Sequence, residues 1–367
     1  MVCIFTSVHS AFDVRIFEKE AQSLVEGGFE VTLIAPHSEG CKMGGVNIVP
    51  LPYPKSRFER MTRTLWSVYR ATLGSGACVY HFHDPELIPL GILLKMKGAH
   101  VVYDVHEDVP RDVLSKEWIP RPFRNLLAVI SELGENLSAK VFDRIVAATP
   151  TIARRFPERK TYLVQNFPRL EAFDHLEGAP YAQREPICVY LGGLSLQRGA
   201  VEMVNAMGHF PNGARVQLIL AGAFESRSLE VDLAALPGWE RTRYLGWISR
   251  REISELLCKA RVGLVVLHPT PCYMNSLPIK IFEYMAAGLP VIASDFPILR
   301  QIIEDANCGL LVNPNDTRAI AEAIKWIIEN PKEAERMGHR GAQAVRSKYQ
   351  WRQEEMKLLE MYESLIC

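Results

Sequence analysis

The chain predicts an α/β protein made of two doubly wound, mostly parallel sheets. Three observations carry that prediction. Short apolar runs alternate with amphipathic helical segments, the pattern of strands joined by helical crossovers. The alternation occurs twice, and residues 167–186 between the two runs hold three prolines, one glycine and many polar residues, a linker composition. A length of 367 residues suits two domains.

In the first run, residues 2–6 form an apolar strand. Residues 14–26 form a helix with Val14, Phe17, Ala21, Leu24 and Val25 on one face, stopped by Gly27-Gly28. Strands follow at 31–35 and 46–51, then a helix at 57–73. A strand at 78–82 leads to a helix at 86–97, and a strand at 101–104 leads through a loop to a long helix at 122–141. Strands at 145–148 and 162–165 close the run. The second run places strands at 187–191, 216–221, 243–245, 262–267, 291–293 and 309–312. Its helices lie near 199–208, 227–236, 249–260, 278–287, 297–304, 316–329 and 331–347, with a last helix at 350–365. The domains are 1–168 and 185–348. In open α/β sheets, ligands bind beyond the carboxyl ends of the strands.

Composition narrows the function classes. Apolar residues make up 48% and charged residues 23%, ordinary for a globular protein. Lys+Arg and Asp+Glu are both 42, so the net charge is zero and argues against a nucleic-acid partner. The eight cysteines form no C-x-x-C pair, and several, such as Cys78 and Cys188, sit in apolar runs. That reads as reduced, buried thiols in a cytoplasmic protein. No apolar run is long enough to span a membrane, and the first strand begins so close to Met1 that no signal peptide is expected before it.

Some clusters leave two readings open. His81, His83 and Asp84 end a strand and resemble part of a metal site, but no further His or Cys spacing completes one, so no metal is expected. His83 and Asp84 then line a cleft or serve structure. Lys55, Arg57, Arg60, Arg63 and Arg70, against Glu59, interleave with Phe58, Trp66 and Tyr69, and Arg121 and Arg124 open the next long helix. Such a strip fits the surface of an anionic membrane or an ordinary amphipathic helix.

Residues 276–293 say most. They read as a helix running into a buried strand: Pro278 suits the first helical position, Gly288 the residue past the end, and Val291-Ile292-Ala293 the strand. Glu283 is the helix's one acid. A free helix N-terminus attracts an anion, and a carboxylate farther along can accept hydrogen bonds from a diol. Phosphate and ribose of a nucleotide sugar fit that pair.

With these residues in place, the segment resembles the donor-site signature of the GT-B-fold, group 1 retaining glycosyltransferases, which use nucleotide-diphosphate sugars. That family has two glutamates separated by seven residues, then Met-Ala-x-Gly-x-Pro-Val. Glu283 matches the second glutamate, which holds the ribose. Asn275 stands in place of the first, which contacts the donor sugar. Leu191-Gly192-Gly193-Leu194-Ser195-Leu196-Gln197-Arg198-Gly199 follows a strand and precedes a helix. Glycine lets backbone approach a ligand, and Arg198 adds fixed charge for a diphosphate. Arg198 takes the family's lysine place, while Gly193 stands where the family has arginine. Lys280 is the substitute cation.

The resemblance implies two Rossmann-like domains facing across a cleft, with the last helix returning to the first domain, so that 350–367 joins 1–168. It places the donor on Gly192, Gly193, Ser195, Arg198, Asn275, Ser276, Leu277, Lys280 and Glu283. It assigns His106, after the strand at 101–104, to the reaction centre beside Arg198 and Glu283. It sets His9, Asp13 and Arg15 on the acceptor side, where Asp13 is also a good helix N-cap. The implied reaction is retaining sugar transfer, without a metal or other cofactor, to a glycan or lipid-linked saccharide. The implied setting is bacterial surface-polysaccharide assembly, in the cytoplasm and at the inner face of the membrane. Two other readings remain: a GT-B-fold sugar-nucleotide epimerase, and a degenerate nucleotide-sugar binding protein, the latter suggested by Asn275 and Gly193.

Overall fold

The computed structural model describes residues 1–116, 119–173 and 180–366. They divide into two compact units: residues 1–166 with the helix Trp351–Ile366, and residues 167–350.

The first unit has an eight-stranded sheet. Its strands are β1 Val2–Phe5, β2 Val31–Pro36, β3 Cys41–Met43, β4 Val46–Leu51, β5 Val79–Phe82, β6 His100–Val105, β7 Arg144–Ala147 and β8 Thr161–Leu163, in the order β3-β4-β2-β1-β5-β6-β7-β8. Every pair is parallel except β3 with β4. Side chains alternate along a strand, so the apolar run of β1 feeds two cores. Val2 and Ile4 join Ile16, Phe17, Trp351 and Leu358 on one face. Cys3 and Phe5 join Val68, Leu90 and Ala139 on the other. Trp351 opens the last helix and donates from Nε1 to Ser23 Oγ at 2.9 Å, which ties that helix to the first one.

The second unit has a six-stranded, wholly parallel sheet. Its strands are β9 Ile187–Leu191, β10 Gln217–Ala221, β11 Thr242–Tyr244, β12 Val262–Val265, β13 Val291–Ser294 and β14 Gly309–Val312, ordered β11-β10-β9-β12-β13-β14. The order reverses at β9, where the chain runs first to β10 and later to β12 on the other side. A doubly wound sheet binds ligands at such a switch point.

Several details depart from the sequence reading. β3 is an added edge strand, turned into β4 by Gly44 and Gly45, both with positive φ; a Gly-Gly turn of this kind suits a tight hairpin. The loop after β6 contains a short helix, Val109–Ser115, with Pro110 in its first turn. Residues 14–26 do form a helix, but Val14–Ala21 is wound as a wider π-helix. That winding buries Arg15, Lys19 and Glu20 beside Ile16 and Phe17, while Val14 and Val25 are only half-buried.

The flanks of the expected linker belong to the second unit's core, where Phe167 and Tyr181 are buried; its centre, 174–179, lies outside the described residues, as does Cys367. Cys3, Cys188 and Cys308 are buried, whereas Cys78 is exposed because it precedes β5 rather than forming part of it. Among the described residues, no helix is long and apolar enough to cross a membrane.

The helix Pro331–Lys348 crosses the end of Ile279–Ala286 at a glycine contact. A Cβ on Gly338 would lie 2.0 Å from the Gly288 carbonyl oxygen. Backbone cannot yield there as a side chain could. Gly338→Ala should therefore destabilise the protein by about 1–3 kcal/mol, read as a lower urea midpoint with an unchanged m-value; an unchanged midpoint would show that the two helices are not in close contact.

Candidate active site

In the second unit the site gathers at the end of β9. Gly192 has φ +111 and Gly199 has φ +69. A Cβ on Gly199 would come 2.1 Å from the Val266 carbonyl oxygen, so only glycine lets the chain turn here into the helix Ala200–Met207. Arg198, just before that turn, donates from Nε to the Tyr273 hydroxyl at 3.0 Å and from Nη1 to the Gly193 carbonyl at 3.4 Å. Ser195 is half-buried at the start of the same turn.

The helix Ile279–Ala286 begins one residue later than the sequence suggested. Pro278 stands at the N-cap with extended backbone, and no side chain caps the helix. Gly288 ends it with φ +69. Lys280 occupies the first turn, where the helix dipole opposes a cation. Its Nζ is buried, has no hydrogen-bond partner and lies 3.6 Å from the centre of the Tyr190 ring. It also abuts Gly192, whose Cβ would sit 3.3 Å from it. Burial pushes the Lys280 ammonium well below its ordinary pKa; the charge of Arg198 adds to this and Glu283 opposes it. A cation held in an unfavourable place beside a second cation is poised for an anion.

Glu283 lies one turn on and accepts from Arg250 Nη1 at 3.2 Å. Asn275 ends the short turn Tyr273–Asn275, Ser276 donates from Oγ to the Tyr273 carbonyl at 3.2 Å, and Leu277 packs on the core. Tyr273 thus links this turn to Arg198. Sequence reasoning missed His268, whose Nε2 is 3.0 Å from Glu202 Oε2 and whose N–H donates to the Gln197 carbonyl at 2.9 Å. The signal was available: His268 follows β12 as His106 follows β6.

In the first unit, histidines and carboxylates meet beyond the ends of β1, β5 and β6. Asp13 caps its helix, accepting from the N–H groups of Arg15 and Ile16. Its carboxyl is held down at about 2: burial alone would raise it, but hydrogen bonds from His9, Ile16 and Arg15 outweigh that. His9 and His106 approach at 3.1 Å between their Nε2 atoms. Asp84 accepts from Thr6 Oγ1 at 2.7 Å and from the Ser7 N–H at 2.6 Å, and lies 3.6 Å from His9. Asp84 therefore braces the loop after β1.

Arg15 corrects an expectation. Rather than facing an acceptor, it is buried, donating from Nη2 to both Asp104 oxygens at 2.9 and 3.2 Å and from Nη1 to the Val164 carbonyl at 3.2 Å. Its Nε lies 2.9 Å from Glu20. The π-helical winding turns it inward.

Glu20, His81, His83 and Asp104 place ligand atoms within 4.8 Å of one another and could hold a metal ion. Folding thus completes a set that spacing along the chain had left at two histidines. Arg15 already brings a positive charge to both carboxylates. Burial raises Asp104, but Arg15 and a hydrogen bond from His81 hold it well below the usual range. Burial and the charge of Asp104 push Glu20 well above it, and burial keeps His83 neutral. The Arg15 guanidinium thus already serves both carboxylates that a metal would need. This donor set fits a self-neutralised scaffold better than a metal centre.

The family description "Glycosyl transferase 4-like domain" matches residues 14–162, and "Glycosyl transferases group 1" matches residues 176–344. The chain belongs to the group 1 glycosyltransferases. It is 24% identical to phosphatidyl-myo-inositol mannosyltransferase from Mycobacterium leprae, over 92% of this chain and 89% of that one. It is 29% identical to alpha-maltose-1-phosphate synthase from Mycobacterium tuberculosis, over 50% of this chain and 48% of that one. In fold, this glycosyltransferase matches sucrose-phosphate synthase from Thermosynechococcus elongatus with a TM-score of 0.81 and 20% identity, covering 100% and 98% of the two chains. It matches Anabaena HepE in complex with UDP and glucose with a TM-score of 0.73 and 13% identity, covering 99% and 100%. The fold is therefore GT-B.

The His9–His106 contact predicts split titrations. Burial would lower His9, but Asp13, Asp84 and Glu107 raise it above the ordinary 6.5. His106 falls below 6.5 because burial, with His9 and Arg15, outweighs Asp104 and Glu107. A folded-state pKa raised above the unfolded one stabilises fully below the unfolded value and stops doing so as pH rises through the folded one. An NMR titration should show His9 protonating at higher pH than His106, with Asp13→Asn lowering His9; coincident titrations would contradict the arrangement.

Proposed function

We propose that this glycosyltransferase moves a sugar, with retention at the anomeric carbon, from a nucleotide-diphosphate sugar to a hydroxyl of a glycan or lipid-linked saccharide. The observation that carries the reading is the pair Arg198 and Lys280 at the end of β9, with Lys280 buried and unpaired against Gly192. The diphosphate lies against these cations and the N-termini of Ala200–Met207 and Ile279–Ala286. Glu283 exchanges its bond from Arg250 for the ribose hydroxyls. Gly192, Gly193 and Ser195 leave room for the phosphates, while Asn275, Ser276 and Leu277 face the donor sugar.

In the reaction the bond from the anomeric carbon to the phosphate oxygen breaks and a bond to the acceptor oxygen forms on the same face. The acceptor proton passes to the leaving diphosphate. Negative charge grows on that phosphate, so Arg198 and Lys280 act most strongly in the transition state. His106 and His9, with Asp13, are the first unit's groups for holding the acceptor hydroxyl. No metal or other cofactor is required, since two cations and two helix ends supply the positive field. The nucleotide-sugar class is supported by HepE with UDP and glucose. A lipid-linked acceptor is supported by the mycobacterial relative named for phosphatidyl-myo-inositol. Assembly of a bacterial surface polysaccharide at the cytoplasmic face of the membrane is the setting this suggests.

Thermal unfolding with UDP, GDP, CDP or ADP tests the donor site, because a ligand that binds only the native state raises Tm. One nucleotide should raise it. Glu283→Ala should weaken that nucleotide about 10- to 150-fold, the cost of about 1.5–3 kcal/mol for hydrogen bonds to a charged group. No shift with any nucleotide would instead indicate a fold that has lost its donor.

At a pH above the lowered Lys280 pKa of the free protein, nucleotide binding should also take up a proton. Lys280 is pushed down in the free protein, and a diphosphate beside it would raise it again. Calorimetry in buffers of different ionisation enthalpy should show uptake that Lys280→Met abolishes; binding without uptake in the native protein would place the diphosphate elsewhere.

A further inference from the structure

The helix Arg121–Val141 is amphipathic in the wrong sense for the first unit. Its protein-facing residues are small or polar: Ala128, Glu135, Ser138 and Ala139 are buried. Glu135 accepts from the Tyr103 hydroxyl at 2.8 Å and pairs with Arg155. The opposite face carries Phe123, Leu126, Leu127, Ile130, Leu133 and Leu137, each 42–60% exposed. Their spacing of three and four residues aligns them in one stripe, and 21 residues give it a length of about 30 Å. A single exposed leucine is ordinary, but a continuous stripe is not.

Val68, Leu90, Leu94 and Ala139 share one core, so the helices Leu65–Ser75 and Ile88–Met96 cover the same sheet face as Arg121–Val141. Trp66 is exposed on one and Met96 on the other. The exposed charges on these helices and the turns at their ends are Arg63, Arg70, Lys97, Arg121 and Lys140, all basic. Glu59 and Glu132 are half-buried and Glu135 is buried. Apolar stripe and basic fringe together match a surface that is apolar inside and anionic at its rim.

We propose that this helical layer docks on an anionic lipid surface, with Arg121–Val141 lying in the plane of the membrane. Leucines and Phe123 enter the acyl boundary while Arg63, Arg70, Lys97, Arg121 and Lys140 meet lipid phosphates. A second copy of the chain would bury the same leucines, but it would also set these basic side chains against each other across a two-fold contact. The inference rests on this surface alone and holds whichever nucleotide or acceptor the protein uses.

The test is co-sedimentation of the full chain, without nucleotide, on vesicles of phosphatidylcholine and on vesicles of phosphatidylcholine with phosphatidylglycerol. The native protein should bind the anionic vesicles at least tenfold better, and salt should weaken the binding. The combined variant Leu126→Gln, Ile130→Gln and Leu133→Gln should lose at least tenfold while keeping its Tm, because glutamine suits a helix and these side chains are more than half exposed. Arg70→Glu, Lys97→Glu and Arg121→Glu together should remove the preference for anionic lipid. Equal binding by the glutamine variant would overturn the proposal. So would a native dimer by light scattering that this variant converts to monomer, since the face would then belong to a second copy.

Discussion

Parallel strand pairing is the constraint on which both units depend. A parallel pair cannot close with a tight turn, so apart from the β3 hairpin between β2 and β4 the parallel strands are joined by helical crossovers that return the chain to the same starting edge. The carboxyl ends of the parallel strands then lie on one edge of a sheet. The loops after β1, β5 and β6 gather His9, Asp84 and His106 by this rule, and the loops after β9 and β12 gather Arg198 and His268. None of these groups are neighbours in sequence. Glycine then sets how close the loops come, as at Gly199 under Val266.

The two units treat positive charge differently. Arg15 is spent inside the first unit, between Asp104 and Glu20, with its remaining donors on the Val164 carbonyl. Such a group positions the strand ends and offers nothing to a ligand. Lys280 is buried without a partner, over an aromatic face and in a helix first turn where a cation is disfavoured. In the proposed donor site its charge is completed by the diphosphate. Arg198 lies between these cases, anchored through Tyr273 yet half-buried beside the glycine loop. The family's missing arginine at Gly193 is consistent with this, because Arg198 Nη1 lies so near Gly193 that a Cβ there would come within 2.8 Å.

The sequence alone determined the class of fold, the two sheets and the helix that ends at Gly288. Apolar runs of four to six residues and amphipathic helices are local signals, and Pro278, Glu283 and Gly288 sit within one short segment. Tertiary structure decided the rest, because it depends on contacts between distant residues. Glu20 and Asp104 meet His81 and His83 only when the first helix packs across the sheet, and the π-helical winding that buries Arg15 and Glu20 leaves no mark in a pattern read at 3.6 residues per turn. Arg250 reaches Glu283 from another helix, and Glu202 reaches His268 from the helix Ala200–Met207. Likewise the sequence marks only a long helix at 122–141. Periodicity shows that a helix has an apolar face; only packing decides whether that face turns toward the protein or away from it.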